Sequence, residues 1–225
     1  MARVWAALLL VVGIQGSRTS TVGSAAAGTA AELAEAVQKR YDRVADFSAD
    51  FVHVYKGGIL RKQLTERGRM SIKKPGRMRW EYTAPERKLF ISDGAKLYFY
   101  VPSDRQVIVS AVPAPGRGTT PALFLAGQGN LTRDFTASDV PDSSPSDGDI
   151  RALKLTPKTP QAEFDWLVLS LDSATLRLRG LESQDAQGGT SSFLFTNLKE
   201  NVGLPDKEFA FAIPRGVDVV TDGAR

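Results

Sequence analysis

The chain has one histidine, His53, and no cysteine in 225 residues. Together these decide most of the chemistry open to it. Without cysteine there is no thiolate nucleophile, no disulfide and no sulfur ligand for a metal. With one histidine, a Ser-His-Asp triad or a zinc site has a single candidate. That candidate lies in the strand-like run Phe47 to Val54, where a lone histidine is expected at the surface. No G-x-S-x-G, H-E-x-x-H or phosphate-cradling glycine loop occurs, and no spacing singles out a carboxylate pair. The sequence points away from an enzyme and calls for neither a metal nor a cofactor. What it offers instead is apolar contact. Met70 and Ile72 alternate with Arg69, Ser71 and Lys73, while Met78, Trp80 and Tyr82 alternate with Arg79 and Glu81. This is the pattern of strands with one covered face. Periodicity alone leaves open whether that face meets a filled core or a lipid chain.

The elements that must position this face begin with a helix. Thr29 and Glu32 form a capping box, after which Leu33, Val37, Tyr41 and Val44 recur at helical spacing. From Phe47 onward the period changes to two. Short alternating runs follow at Lys88–Ser92, Leu97–Val101, Gln106–Ser110, Ala152–Thr156, Trp166–Leu171, Leu176–Glu182, Ser192–Leu198, Phe209–Ile213 and Val217–Val220. Turn residues such as Pro75-Gly76, Asp93-Gly94 and Gln187-Gly188-Gly189 punctuate them. Close spacing without intervening helices predicts antiparallel hairpins in one large, strongly curved sheet. Trp166–Leu171 is apolar almost throughout, so both of its faces are expected to be covered. A second, short helix is expected where Thr120 caps and Pro121 takes the first helical position, ending at Gly127. Val140–Asp149 reads as an exposed loop.

Composition agrees with a globular domain, at 42% hydrophobic and 24% charged residues. Residues 1–27 read as a secretory signal. Arg3 precedes the apolar stretch Val4–Ile14, which is too short to span a bilayer, and small residues gather at Ser24-Ala25-Ala26-Ala27. A short N-terminal anchor is the other reading. The remainder, 28–225, is expected to form one domain. Removing residues 1–27 takes away Arg3 and Arg18, lowering the formal charge from +4 to +2. With no basic stripe, nucleic acid is not an expected partner. The missing cysteine also removes the lipidation site of a bacterial lipoprotein, so no lipid anchor of its own is expected.

The run Gly68-Arg69-Met70-Ser71-Ile72-Lys73-Lys74-Pro75-Gly76-Arg77-Met78-Arg79-Trp80-Glu81-Tyr82 resembles the periplasmic outer-membrane lipoprotein carrier (LolA) family. So do Leu89-Phe90-Ile91-Ser92-Asp93-Gly94, Leu97-Tyr98-Phe99-Tyr100-Val101-Pro102, Leu155-Thr156-Pro157-Lys158 and the ending Phe209 to Val219. The resemblance implies a mainly antiparallel β (α+β) fold: an incomplete, strongly curved β-barrel of about eleven strands, with helices covering a hydrophobic cavity. It implies a periplasmic monomer whose cargo is acylated lipoproteins. An inner-membrane ABC-type releasing complex would supply the cargo, and an outer-membrane lipoprotein receptor would accept it. The cargo cavity is expected to involve Met70, Ile72, Met78, Trp80, Tyr82, Leu89 and Ile91, with Leu123 and Phe124 from the short helix. Family members carry a basic residue, usually arginine, that reaches carbonyls of the lid. Here that position is Lys74, which alternation places on the inward face with Met70 and Ile72. Met78 stands where the family has an aromatic. A carrier of another lipid, or a lipid- or protein-binding sensory module on the same fold, is the alternative.

Overall fold

The computed structural model describes residues 28–57, 62–112, 124–140 and 149–221. The expected signal segment 1–27, the start of the short helix at Thr120–Leu123 and most of the Val140–Asp149 loop lie outside the described residues. Helix α1 spans Ala30–Tyr41 and begins as its sequence dictates. The Thr29 amide donates to Glu32 Oε2 at 2.8 Å and the Glu32 amide donates to Thr29 Oγ1 at 3.3 Å. Leu33, Ala34 and Val37 form its buried stripe. Val44 is buried too, but lies beyond the helix end.

Twelve strands follow in one sheet: β1 Asp46–Lys56, β2 Gln63–Lys73, β3 Arg77–Ala84, β4 Lys88–Asp93, β5 Lys96–Val101, β6 Gln106–Ala111, β7 Phe135–Asp139, β8 Ile150–Pro157, β9 Trp166–Asp172, β10 Leu178–Gln184, β11 Thr190–Glu200 and β12 Asp218–Thr221. The order is β12-β6-β5-β4-β3-β2-β1-β11-β10-β9-β8-β7, so the sheet does not close on itself. Neighbours pair antiparallel except β12 and β6, which run parallel. A mainly antiparallel, unclosed, barrel-like sheet is the architecture that the family resemblance implies, with twelve strands among the described residues in place of about eleven.

Two expectations change at element level. Phe209–Ile213 is not a strand: Asp206–Phe209 is a 3-10 turn and Ala210–Ile213 joins no strand. This segment lies across the outer face of β3 and β4. Lys73 Nζ holds it there by bonding Asp206 at 2.6 Å and the Leu204 carbonyl at 2.8 Å. The second change concerns β9, where Leu167, Leu169 and Leu171 are buried but Trp166, Val168 and Ser170 are only partly covered. Its outer face is therefore less protected than a continuous apolar run suggests.

The inner face follows from register. In β1 the inward set is Phe47, Ala49, Phe51, His53 and Tyr55, opposite Ile72, Met70, Gly68, Glu66 and Leu64 of β2. Gly68 is required at its place. A Cβ there would sit 2.1 Å from the Glu81 carbonyl oxygen and 2.7 Å from the Phe51 ring, so the Phe51 ring is packed over bare backbone.

Candidate cargo cavity

The two ends of the inner face differ. At the end where β1 begins and β2 finishes, α1 and the turns that follow β6 fill the space. Phe124–Gln128 forms a helical turn kinked at Gly127, whose φ of 80° is not helical. A short helix α2, Leu131–Asp134, follows it and is capped by Asn130. Only about 30 Å³ remains hollow between α1, Leu125, Leu131 and the sheet, room for little more than a water molecule. Met70, Ile72 and Met78 are completely buried in the continuous core here.

At the opposite end, where β1 finishes and β3 leaves the barrel, lies a cavity of about 420 Å³. That is within the roughly 300–1,000 Å³ usual for ligand pockets. Its apolar wall is made by Trp80, Tyr82, Phe90, Phe99, Leu181 and Phe193. Phe51 packs behind it, with its ring 5.3 Å from Trp80, 5.0 Å from Tyr82 and 5.9 Å from Phe193. Among the described residues, Trp80 Nε1 is a buried donor with no hydrogen-bond partner.

The expected site residues therefore divide. Trp80 and Tyr82 line the cavity, whereas Met70, Ile72 and Met78 belong to the filled core. Leu89 and Ile91 are not inward at all. Register pairs Trp80 with Phe90, and so turns Leu89 and Ile91 to the outer face with Arg79 and Glu81. There Ile91 is fully buried, on the face where Phe211 packs its ring 5.4 Å from Tyr98 and 5.7 Å from Tyr100. Because β4 is apolar on both faces, its composition could not say which set faced in. Leu123 and the Phe124 side chain lie outside the described residues.

His53 also departs from expectation. It is inward, its side chain is only 12% exposed, and its ring stacks on Phe193 at 4.1 Å. Nδ1 lies 3.2 Å from Glu66 Oε2 and Nε2 lies 2.6 Å from Ser191 Oγ. Burial lowers its pKa below the usual value, partly offset by Glu66, so the imidazole is neutral at pH 7. A carboxylate only accepts, so Nδ1 donates to Glu66 and Nε2 accepts from the Ser191 hydroxyl. The phase set by Phe47, Ala49 and Phe51 is the sequence signal that places His53 inward.

Lys74 is inward as expected, but its partner is different. Its ammonium donates to the Tyr41 carbonyl at the end of α1 and lies 3.6 Å over the Tyr41 ring. It does not bond the carbonyls of the 124–128 turn. It supports that turn by packing, since a Cβ on Gly127 would come 2.9 Å from Lys74 Cδ. The turn is tied directly by the Tyr41 hydroxyl, which donates to the Leu125 carbonyl, and by the Gly76 amide, which donates to the Ala126 carbonyl at 2.9 Å. A helix C-terminus leaves carbonyls free for a cation, and the nearest such end belongs to α1.

Burial pushes the Lys74 ammonium down from 10.5 to about 8, with Asp42 pulling it back. Between those values the unfolded chain holds the proton and the folded one releases it, so stability rises as pH climbs from about 8 to 10.5. Lys74→Met should flatten that rise relative to the parent. Urea midpoints of both proteins across the window check it, and parallel curves would show that Lys74 titrates normally.

The match to known proteins agrees with this architecture. Residues 42–212 fit the family model described as outer membrane lipoprotein carrier protein LolA. The chain belongs to the LolA family. An outer-membrane lipoprotein carrier protein of Chromohalobacter salexigens is 35% identical over 193 residues, covering 84% of this chain and 87% of that one. One from Bordetella avium is 33% identical over 208 residues, covering 91% and 96%. Among solved structures, an uncharacterized conserved protein from Thermus thermophilus matches with a TM-score of 0.50 at 14% identity, covering 85% of this chain and 98% of that one. That last likeness concerns the fold alone. Within the LolA family, this member carries lysine at position 74 and methionine at position 78 of its inward face.

Proposed function

We propose that the protein carries acylated lipoproteins through the periplasm, sheltering their acyl chains in the cavity bounded by Trp80, Tyr82, Phe90, Phe99 and Phe193. One observation carries the reading: an aromatic-walled cavity open at one end of the barrel, in a chain of the LolA family. The work is physical and needs no bond-making. Each methylene removed from water is worth about 0.8 kcal/mol, so lipoprotein acyl chains would cost roughly tens of kcal/mol to expose. Unassisted escape from a membrane is then far too slow. Cargo would come from an inner-membrane ABC-type releasing complex and pass to an outer-membrane receptor, with residues 1–27 directing export. A cavity of about 420 Å³ holds only part of the acyl mass, which keeps affinity moderate and release feasible.

The test is recovery of the protein from a periplasmic extract, with N-terminal sequencing and mass spectrometry of what comes with it. A start near Ala26 to Gly28 and bound acylated lipoprotein are expected. Material retaining Met1 in the membrane, or a carrier that never holds acylated protein, would contradict the reading.

A further inference from the structure

The cavity wall is interrupted by buried charge. Glu66 stands on the inner face of β2 with its side chain only 5% exposed, ion-paired with the Lys88 ammonium and bonded by His53. Glu66, Lys88 and Ser191 all line the cavity. Taking an ion pair out of water is costly for each ion before attraction repays it. A wall that only dissolved hydrocarbon would be better served by leucine at both positions. The pair is therefore placed for something other than tails.

Its position says what. Lys88 opens β4 opposite Tyr82, while Trp80 and Phe90 are the next inward pair toward the filled core. A chain entering from the open end meets Lys88 first and the aromatic wall beyond it. An ammonium has three donors. Glu66 takes one, and the Tyr82 ring, 5.3 Å from Nζ, takes none. The Lys88 side chain is 19% exposed. Glu66 and His53 are engaged with partners on the wall, which leaves Lys88 as the group with donors to spare. Around it, Glu163 and Asp185 make the remaining charges of the cavity lining negative, so a neutral acceptor suits the site better than an anion.

We propose that Lys88, braced by Glu66, recognises the linkage of the acyl chain, donating to the carbonyl oxygen of an ester or amide while the tail lies against Trp80, Phe90 and Phe193. The inference rests on the carrier reading and adds its specificity: acylated ligands over alkylated ones. Two probes that differ only in that carbonyl, 1-palmitoylglycerol and 1-O-hexadecylglycerol, test it by calorimetry on the whole protein. The parent should bind the ester about ten-fold tighter, the scale of one charge-assisted hydrogen bond. Lys88→Arg should keep the preference and Lys88→Met should lose it, binding both probes like the ether. Because Lys88→Met strands the Glu66 carboxylate, the double variant Glu66→Leu/Lys88→Met supplies a folded control that should also lack the preference. Equal binding of the two probes by the parent, or a preference surviving in the double variant, overturns the role of Lys88. A parent that binds neither probe overturns the carrier reading and this proposal with it.

Discussion

Met78→Glu should unfold the protein or leave it barely folded. Met78 is completely buried, faces Ile72 on one side and Ser92 on the other, and lies in the filled part of the core. Its cross-strand neighbours, Ile72 and Ser92, offer a carboxylate no cation. An uncompensated buried charge costs about 3–5 kcal/mol, a large share of the roughly 5–15 kcal/mol by which domains are stable. For a chain of this size that lowers the melting temperature by roughly 6–20 °C. Thermal unfolding followed by circular dichroism measures it. A variant that melts like the parent but no longer takes up lipid would place Met78 on the cavity wall after all.

Phe99→Glu should do the reverse, sparing the fold and removing carriage. Phe99 is only partly buried and lines the open cavity opposite Phe90. Replacing a partly buried aromatic that borders an open cavity costs on the order of 1 kcal/mol. For cargo the effect is much larger. Whether the new carboxylate stands alone or is drawn toward Lys88, it must lose water before a chain can lie across it. Uptake of a fluorescent acyl probe should fall by about ten-fold or more, with the melting temperature close to that of the parent. Undiminished uptake would mean that the chains lie elsewhere.

The contrast between these substitutions shows where sequence reasoning reaches its limit. Alternation in Met70–Ile72 and Met78–Tyr82 points to the correct face, because each strand has polar residues outside to set the phase. It cannot say where along that face core gives way to cavity, which depends on which end α1 and the 124–128 turn occupy. In β4, Leu89, Phe90 and Ile91 are all apolar, and the phase is fixed only by pairing with Trp80. The Phe209–Ile213 run shows the same ambiguity in another form. Its alternating apolar residues serve to cover a sheet from outside as readily as to join one. Strand β7, Phe-Thr-Ala-Ser-Asp, escapes a reading by pattern because it carries a single large apolar residue and offers no period. The capping box of α1 is fully legible, being local chemistry. The Lys74–Tyr41 contact is not, because it joins groups 33 residues apart.

The central claim is that acyl chains occupy the aromatic end of the barrel, and Trp80 is its natural reporter. The chain has three tryptophans; Trp5 falls in the segment proposed to be removed on export, so replacing Trp166 by phenylalanine leaves Trp80 alone in the exported protein. Titrating that protein with an acylglycerol brominated along its chain places a contact quencher wherever the tail lies. Trp80 emission should fall steeply and saturably, while the unbrominated lipid leaves it bright. Saturable binding of the brominated lipid with Trp80 emission unchanged would put the chains outside this cavity.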